Sequence, residues 1–270
     1  MTIPVELIDA IRQKRVIPFI GAGLSMNLGL PSWSKLIEIV SGELGLDPDI
    51  ARIHGDFLQI AEYYYLINSG LGTLRSKLDR IFNNDSIDIS SSLPHILLPD
   101  LKAPAIYTTN WDNLIERAFD YKHVSYNKIV TINDLINSKP DLTNIVKFHG
   151  DFSRDETIVF TESSYFKRLD FETALDIKLR SDMLGRVVLF LGYSFSDLNI
   201  RYMWYKLIDL FQSVTLRHSD TYAYIVTTKP NPIFDYICHI SLNIKVITLD
   251  PTDIGGSLVI FLESLIREVT

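Results

Sequence analysis

The sequence predicts an α/β fold, a parallel sheet with helices on both faces and a helical insert. Three observations predict it. Short, continuously apolar strand patterns alternate with helix-period segments, as in a sheet buried on both sides. The strands end in polar, glycine-bearing turns. Residues 46–92 carry helical periodicity with no strand signal, which marks the insert.

Taken in order, residues 4–13 read as a short helix with Val5, Ile8 and Ile11 on one face. Val16–Ile20 is the opening strand and runs into Gly21-Ala22-Gly23-Leu24-Ser25. Two glycines one residue apart let backbone N–H groups come close to a phosphate, where a Cβ would intervene. Met26 stands where the dinucleotide fingerprint has its third glycine, and no Gly-Lys-Ser/Thr of a P-loop follows. Taken alone, the turn fits a phosphate cradle or a plain tight turn. Trp33, Leu36, Ile37, Val40 and Leu44 recur at helical spacing, so the turn feeds a helix whose N-terminal dipole faces whatever is bound.

Within the insert, Asp56 reads as the N-cap of a helix over Phe57–Leu66, and a second helix runs near 71–82. Residues 103–107 form the next strand, followed by Thr108-Thr109-Asn110-Trp111-Asp112 and a helix with Leu114, Ile115, Ala118 and Phe119. A third strand, 144–148, ends at His149-Gly150-Asp151. A second helical segment spans about 161–182. The most apolar strand, 186–191, ends at Gly192-Tyr193-Ser194, with Asp197 expected at the start of a helix that buries Ile200, Met203, Trp204, Leu207, Ile208 and Phe211. Two more strands, 222–226 and 244–249, are each followed by a helix. Ligands of open α/β sheets bind at the strand C-termini, so the turns at 21–25, 109–112, 149–151 and 192–194 are expected to share one crevice.

Composition narrows the function classes. The 270 residues are 47% hydrophobic, enough for a sizeable core in a single domain over 1–270. A net charge of −7 and a pI near 5.4 argue against direct nucleic-acid binding, which needs a basic face. One cysteine, Cys238, and six scattered histidines give no metal-ligand spacing, so no metal is expected. No apolar run reaches the ~18 residues of a membrane span, and no signal-peptide pattern opens the chain, so a cytoplasmic protein is expected.

Four turns in this order are more specific than any one of them. Gly21-Ala22-Gly23-Leu24-Ser25, Thr109-Asn110-Trp111-Asp112, His149-Gly150 and Gly192-Tyr193-Ser194 resemble the NAD-binding motifs of the SIR2 (sirtuin) superfamily. The segments Gly29-Leu30-Pro31-Ser32-Trp33, Phe57–Tyr63 and Gly192–Asp197 are most similar to its prokaryotic SIR2-like branch in anti-phage defence. The resemblance runs from about Ile11 to Leu265. It implies a Rossmann-like sheet and hydrolysis of NAD+ to nicotinamide and ADP-ribose. The zinc module that deacetylase sirtuins build from four cysteines cannot be built from one.

The same resemblance assigns roles. His149 becomes the catalytic histidine, and imidazole titrates where a general base for water or a ribose hydroxyl must. Read from its neighbours alone, it is a structural histidine hydrogen-bonded at a strand end. Asn110 becomes the group that orients ribose or water; alone, it fits an Asx-turn. Asp112 either stabilises an oxocarbenium or caps the following helix. Gly21, Ala22, Gly23 and Ser25, with Thr109 beside them, are expected at the pyrophosphate. Gly192 and Ser194 are expected on the adenosine side, and Thr227 and Thr228 at the adenine. Trp33 and Trp204 read as core, and Trp111 as a wall of the nicotinamide pocket. His54-Gly55-Asp56 repeats the histidine tripeptide between helical patterns and reads as a loop and cap. A deacylase or ADP-ribosyltransferase, and a non-hydrolysing NAD or ADP-ribose sensor, are the competing classes. An unrestrained NAD hydrolase would kill its host. Control is therefore expected from homo-oligomerisation or a separate activating protein, an ATPase or nucleic-acid sensor, acting on Phe57–Leu66.

Overall fold

The computed structural model describes residues 3–169, 172–193, 195, 198–213 and 221–269, with 198–199 and 210–213 described by their backbone alone. Seven strands form one sheet: β1 (Val16–Ile20), β2 (Ala105–Thr108), β3 (Tyr126–Ile129), β4 (Thr143–Lys147), β5 (Val187–Leu191), β6 (Ala223–Thr227) and β7 (Ile244–Thr248). Their order is β3-β4-β2-β1-β5-β6-β7, and every pairing is parallel. The chain starts in mid-sheet, builds outward through β2 to the β3 edge, then crosses back past β1 to build β5–β7. The order reverses between β1 and β5, which opens a crevice at their C-terminal ends.

The expected alternation of strands and helices holds. Helix α1 (Val5–Arg12) precedes β1; α2 (Ala22–Ser25) and α3 (Trp33–Glu43) follow it. The insert supplies α4 (Pro48–His54), α5 (Phe57–Asn68) and α6 (Gly72–Phe82), and α7 (Leu93–Ile96) leads into β2. Helix α8 (Leu114–Tyr121) links β2 to β3, and α9 (Ile132–Ile136) links β3 to β4. The second helical segment resolves into α10 (Glu162–Arg168) and α11 (Ala174–Met183). Helices α12 (Leu198–Ser213), α13 (Pro232–Ser241) and α14 (Ile254–Ile266) follow β5, β6 and β7.

The strands are apolar throughout because both faces are covered. Ile17 and Phe19 point into one cluster with Tyr107, Phe190, Met203 and Trp204. Val16 and Ile20 point into the other, with Ile106, Leu189, Phe261 and Leu262. Ile200, Leu207 and Ile208 are buried on α12 as expected, whereas the Phe211 side chain lies outside the described residues. A third cluster joins α3, α5 and α6 to Trp111, Phe152 and Phe160, and so fastens the insert over the crevice. Asp56 caps α5 through a reciprocal box: it accepts from the Gln59 N–H at 3.1 Å, and Gln59 accepts from its N–H at 3.4 Å.

Three expectations change. Strand β3 was not expected. Its residues Tyr126-Asn127-Lys128 are half-buried, because an edge strand has a partner on one side only and tolerates polar side chains. The buried face of α1 is Leu7, Ala10 and Ile11; Val5 is 67% exposed, since Leu7 and Ile11 are the side chains that reach the sheet. Trp33 is not core: it is 45% exposed at the first turn of α3.

Candidate active site

The first turn and the β5 turn interlock through backbone. The Gly21 N–H donates to the Leu191 carbonyl at 2.9 Å, and the Gly23 N–H to the Gly192 carbonyl at 2.9 Å. A Cβ on Gly21 would lie 2.3 Å from Tyr193 Cδ2, and one on Gly23 would lie 2.8 Å from the Gly192 oxygen. Gly192 has a φ of +63°, and its own Cβ would stand 2.3 Å from the Leu24 nitrogen. The glycines are therefore required by turn-to-turn packing inside the protein. Close packing is thus a second reason for glycine here, beside the expected approach of a phosphate: a Cβ at 23 meets the Gly192 backbone.

The β2 turn is held by one hydroxyl. Thr108 Oγ1 donates to the Ile20 carbonyl at 2.8 Å and accepts from the Asn110 N–H at 3.0 Å. This locks Asn110, 7% exposed, with its amide Nδ2 donating to Ser25 Oγ at 3.3 Å. Asp112 is buried, and Oδ1 accepts from the Leu114 N–H at 3.1 Å. Asn113, not Asp112, occupies the N-cap position of α8, so Asp112 steadies the helix start from one residue further out. Its backbone carbonyl accepts from Lys147 Nζ.

A cavity of ≈ 460 Å³ runs along these turns. Ala22, Gly23, Ser25, Thr109, Asn110 and Asp112 line one part of it, with Trp111, Trp33 and Phe82 as an aromatic wall. Trp111 packs edge-on to Trp33 and Phe82 at centroid distances of 6.1 and 5.6 Å. Gly192 and Tyr193 line the middle; Thr227, Thr228 and Lys229 line the far end beside Val226, Leu249, Ile254 and Leu258. Gly21 is not one of the residues that line the cavity. Ser194 and Asp197 lie outside the described residues.

His149 is not brought into this cavity. It follows β4, is 2% exposed, and sits beneath α10, with its Nδ1 3.4 Å from the Tyr165 hydroxyl and the rings edge-on at 5.1 Å. Helix α10 is fastened on both sides. Its Ser163 N–H donates to Glu62 of α5 at 2.9 Å, and Arg168 pairs with Asp176 at 2.9 Å while lying 4.2 Å over Phe148. His54, by contrast, is exposed at the end of α4.

Three buried polar residues behind the turns were not singled out from the sequence. Lys147 is fully buried, with Nζ 3.6 Å from Glu116 Oε1. Lys128 reaches Asp151 at 2.7 Å and Glu116 at 3.8 Å, which closes a four-residue charge cluster. Burial raises the Asp151 pKa, but Lys128, Lys147 and Ser153 outweigh it and hold the carboxyl below its usual range. His95 is fully buried, with Nδ1 2.7 Å from Ser92 Oγ and Nε2 without a hydrogen-bond partner among the described residues. Burial lowers its pKa to about 4, against the opposing pull of the Asp112 charge. A lysine inside the apolar run Ile145-Val146-Lys147-Phe148 is the one sequence signal that pointed here. Among the described residues, no three His, Cys, Asp or Glu side chains converge as a metal site.

The chain matches the SIR2-like domain family over residues 104–247, more than half its length. It is 33% identical over 196 residues to "NAD(+) hydrolase ThsA" of Enterococcus faecium, covering 71% of this chain and 40% of that protein. It is 30% identical over 207 residues to the protein of the same name from Bacillus cereus, covering 74% and 41%. The chain thus spans about two fifths of the length of these curated relatives. A solved "Sir2 homolog-NAD complex" superposes with a TM-score of 0.47 at 11% identity, over 99% of this chain and 94% of that one.

Proposed function

The chain belongs to the SIR2-like domain family, and on that premise we propose that it is an NAD+ glycohydrolase, yielding nicotinamide and ADP-ribose as an NAD-depleting effector of anti-phage defence. The observation that carries this reading is the convergence of the β1, β2, β5 and β6 turns on one elongated cavity at the reversal point of the sheet. Polar groups of these turns line that cavity, and two relatives that match most of this chain are named NAD(+) hydrolases.

In the reaction, the bond between the ribose anomeric carbon and the nicotinamide nitrogen breaks, and its electron pair leaves with nicotinamide. A water oxygen bonds to the carbon, and the water proton passes to a base. The leaving group is cationic, so it departs without acid assistance, through an oxocarbenium-like transition state. Asn110, held by Thr108 and Ser25, is proposed to orient the ribose and the water. Asp112 at the same end of the cavity supplies negative charge to the developing cation. The turn at Ala22, Gly23 and Ser25, with Thr109 beside it, is proposed for the pyrophosphate, and Gly192, Ser194 and Thr227 for the adenosine half.

His149 is proposed as the base, and its burial beneath α10 makes the described state a restrained one. The route to activity is a shift of α10, and α5 is the element to which α10 is tied. Tyr63, Tyr65, Leu66 and Ile67 are exposed on α5, while Phe57, Ile60, Ala61 and Tyr64 anchor it to the third cluster. We assign that exposed face to self-association or to a separate activating protein, and the protein, read as one SIR2-like unit over 1–270, to the cytoplasm.

The test is incubation with NAD+, with and without an acetylated peptide, and chromatography of the products. Equal amounts of nicotinamide and ADP-ribose in the absence of peptide support the proposal. Nicotinamide release that requires the peptide overturns it in favour of deacylation.

A further inference from the structure

The residues lining the cavity include two charged ones, Asp112 and Lys229, and they stand at opposite ends. Asp112 belongs to the β2 turn. Lys229 lies just past β6, three strand spacings away across β1 and β5, or about 14 Å at ~4.8 Å per spacing. If the reacting ribose lies beside Asn110 and Asp112, the adenosine half extends to the Lys229 end. The wall there is apolar, formed by Val226, Leu249, Ile254 and Leu258, as a purine ring requires, with Thr227 and Thr228 beside it.

The charge at that end is unusual for NAD+. Nucleotide sites selective for an unmodified adenosine ribose place a carboxylate on its 2′-hydroxyl, whereas a cation accommodates a 2′-phosphate. The carboxylates that flank the apolar wall residues Leu249 and Ile254 in sequence are already engaged. Asp250 accepts from the Thr252 N–H at 2.8 Å and from its hydroxyl at 2.6 Å, and Asp253 accepts from the Gly256 N–H at 2.9 Å to cap α14. Neither lines the cavity. Lys229 does, its backbone N–H pinned to Thr227 Oγ1 at 3.0 Å, and its ammonium has no ion-pair partner among the described residues.

We propose that the adenosine end is built for a 2′-phosphate, with Lys229 as the specificity-determining residue, so that the cavity takes NADP+ at least as well as NAD+. The inference rests on the dinucleotide reading of the cavity given above. The chemistry is unchanged: NADP+ and water yield nicotinamide, 2′-phospho-ADP-ribose and one proton, with the same carbon–nitrogen bond broken and no oxidant needed.

The experiment measures kcat and KM for NAD+ and NADP+ in the wild type, Lys229→Ala and Lys229→Glu. Alongside it, calorimetry compares adenosine 5′-monophosphate with adenosine 2′,5′-bisphosphate, which needs no turnover. The wild type is expected to use NADP+ with a kcat/KM at least equal to that for NAD+. Lys229→Ala is expected to lower the NADP+/NAD+ ratio about tenfold, carried in KM, with a larger fall for Lys229→Glu. The bisphosphate is expected to bind more tightly than the monophosphate, and to lose that advantage in Lys229→Ala. A wild type that consumes NAD+ but ignores NADP+ overturns the inference. So does an unchanged ratio in Lys229→Ala, which would put the lysine on the shared pyrophosphate. If neither dinucleotide is consumed while the bisphosphate preference persists and depends on Lys229, the hydrolase reading falls and the 2′-phosphate site stands.

Discussion

Gly192 is the position at which the interlock of the two turns can be weighed against backbone strain alone. Gly192→Ala places a methyl group 2.3 Å from the Leu24 nitrogen and 3.0 Å from the Gly23 carbonyl carbon, at a φ of +63°. The left-handed conformation costs a non-glycine residue about 1–2 kcal/mol, and forced overpacking against backbone adds about 1–3 kcal/mol. The sum is about 2–5 kcal/mol. Gly185 has a similar φ, +72°, and a methyl group added there meets nothing within 4 Å, so Gly185→Ala carries the strain without the collision. At roughly 2 °C per kcal/mol for a chain of this length, calorimetric melts should show Tm falling by about 4–10 °C for Gly192→Ala and about 2–4 °C for Gly185→Ala. Gly23→Ala, where the added Cβ meets the Gly192 oxygen at 2.8 Å, should fall between them. Equal shifts for Gly192→Ala and Gly185→Ala would refute the packing argument and return the glycines to a role in ligand approach.

The other expectations concern the site and its supports. Asn110→Ala and His149→Ala should each lower NAD+ hydrolysis by about a hundredfold or more, with His54→Ala near wild type; full activity in His149→Ala would remove it from the chemistry. Glu62→Ala removes the carboxylate that receives the Ser163 N–H, and should raise the turnover of the isolated chain severalfold in a steady-state assay; a fall would mean that α10 supports the site instead of restraining it. His95 stays neutral in the folded chain down to about pH 4, whereas the unfolded chain protonates it near 6.5. Stability from this group is therefore complete above pH 6.5 and declines by about 3 kcal/mol as pH falls towards 4, a slope that urea titrations should find flattened in His95→Gln. Lys147→Met leaves Glu116 buried beside Lys128 alone and should destabilise the chain by about 3 kcal/mol in the same titrations, with Glu116→Leu in the double variant restoring most of it.

What the sequence disclosed, and what it withheld, follows from where each signal is encoded. Strands such as Val187–Leu191 lie between two covered faces, so their continuous apolar runs announce both the strand and its parallel neighbours. Strand β3 escapes because an edge strand needs no such run, and Tyr126-Asn127-Lys128 resembles a loop. The turns can be located because glycine and polar residues interrupt the apolar pattern, but the reason for the glycines is not legible. It depends on Gly192, some 170 positions from Gly23, arriving one hydrogen bond away. Asn110, Asp112 and Ser25 are legible as a group because all belong to strand-end turns. The cover over His149 is not, since it depends on Tyr165 folding back from a separate helical segment. Trp33 sits on an apolar repeat and reads as core, but its helix starts at the rim of the cavity and leaves the ring half in the open.

The hydroxyl of Thr108 has a mechanical consequence. It ties the end of β1 to the amide of Asn110, so the turn proposed to grip the dinucleotide and the residue proposed to act on it form one rigid jaw. A spreading of β1 from β2 would break the grip and disarm the chemistry in the same stroke. Admission and release must therefore come from the helical side, by the movable half of a vice whose fixed half is the sheet. Thr108→Val, nearly equal in size, would loosen that fixed half while leaving the strand in place, and so separate stiffness of the jaw from its shape.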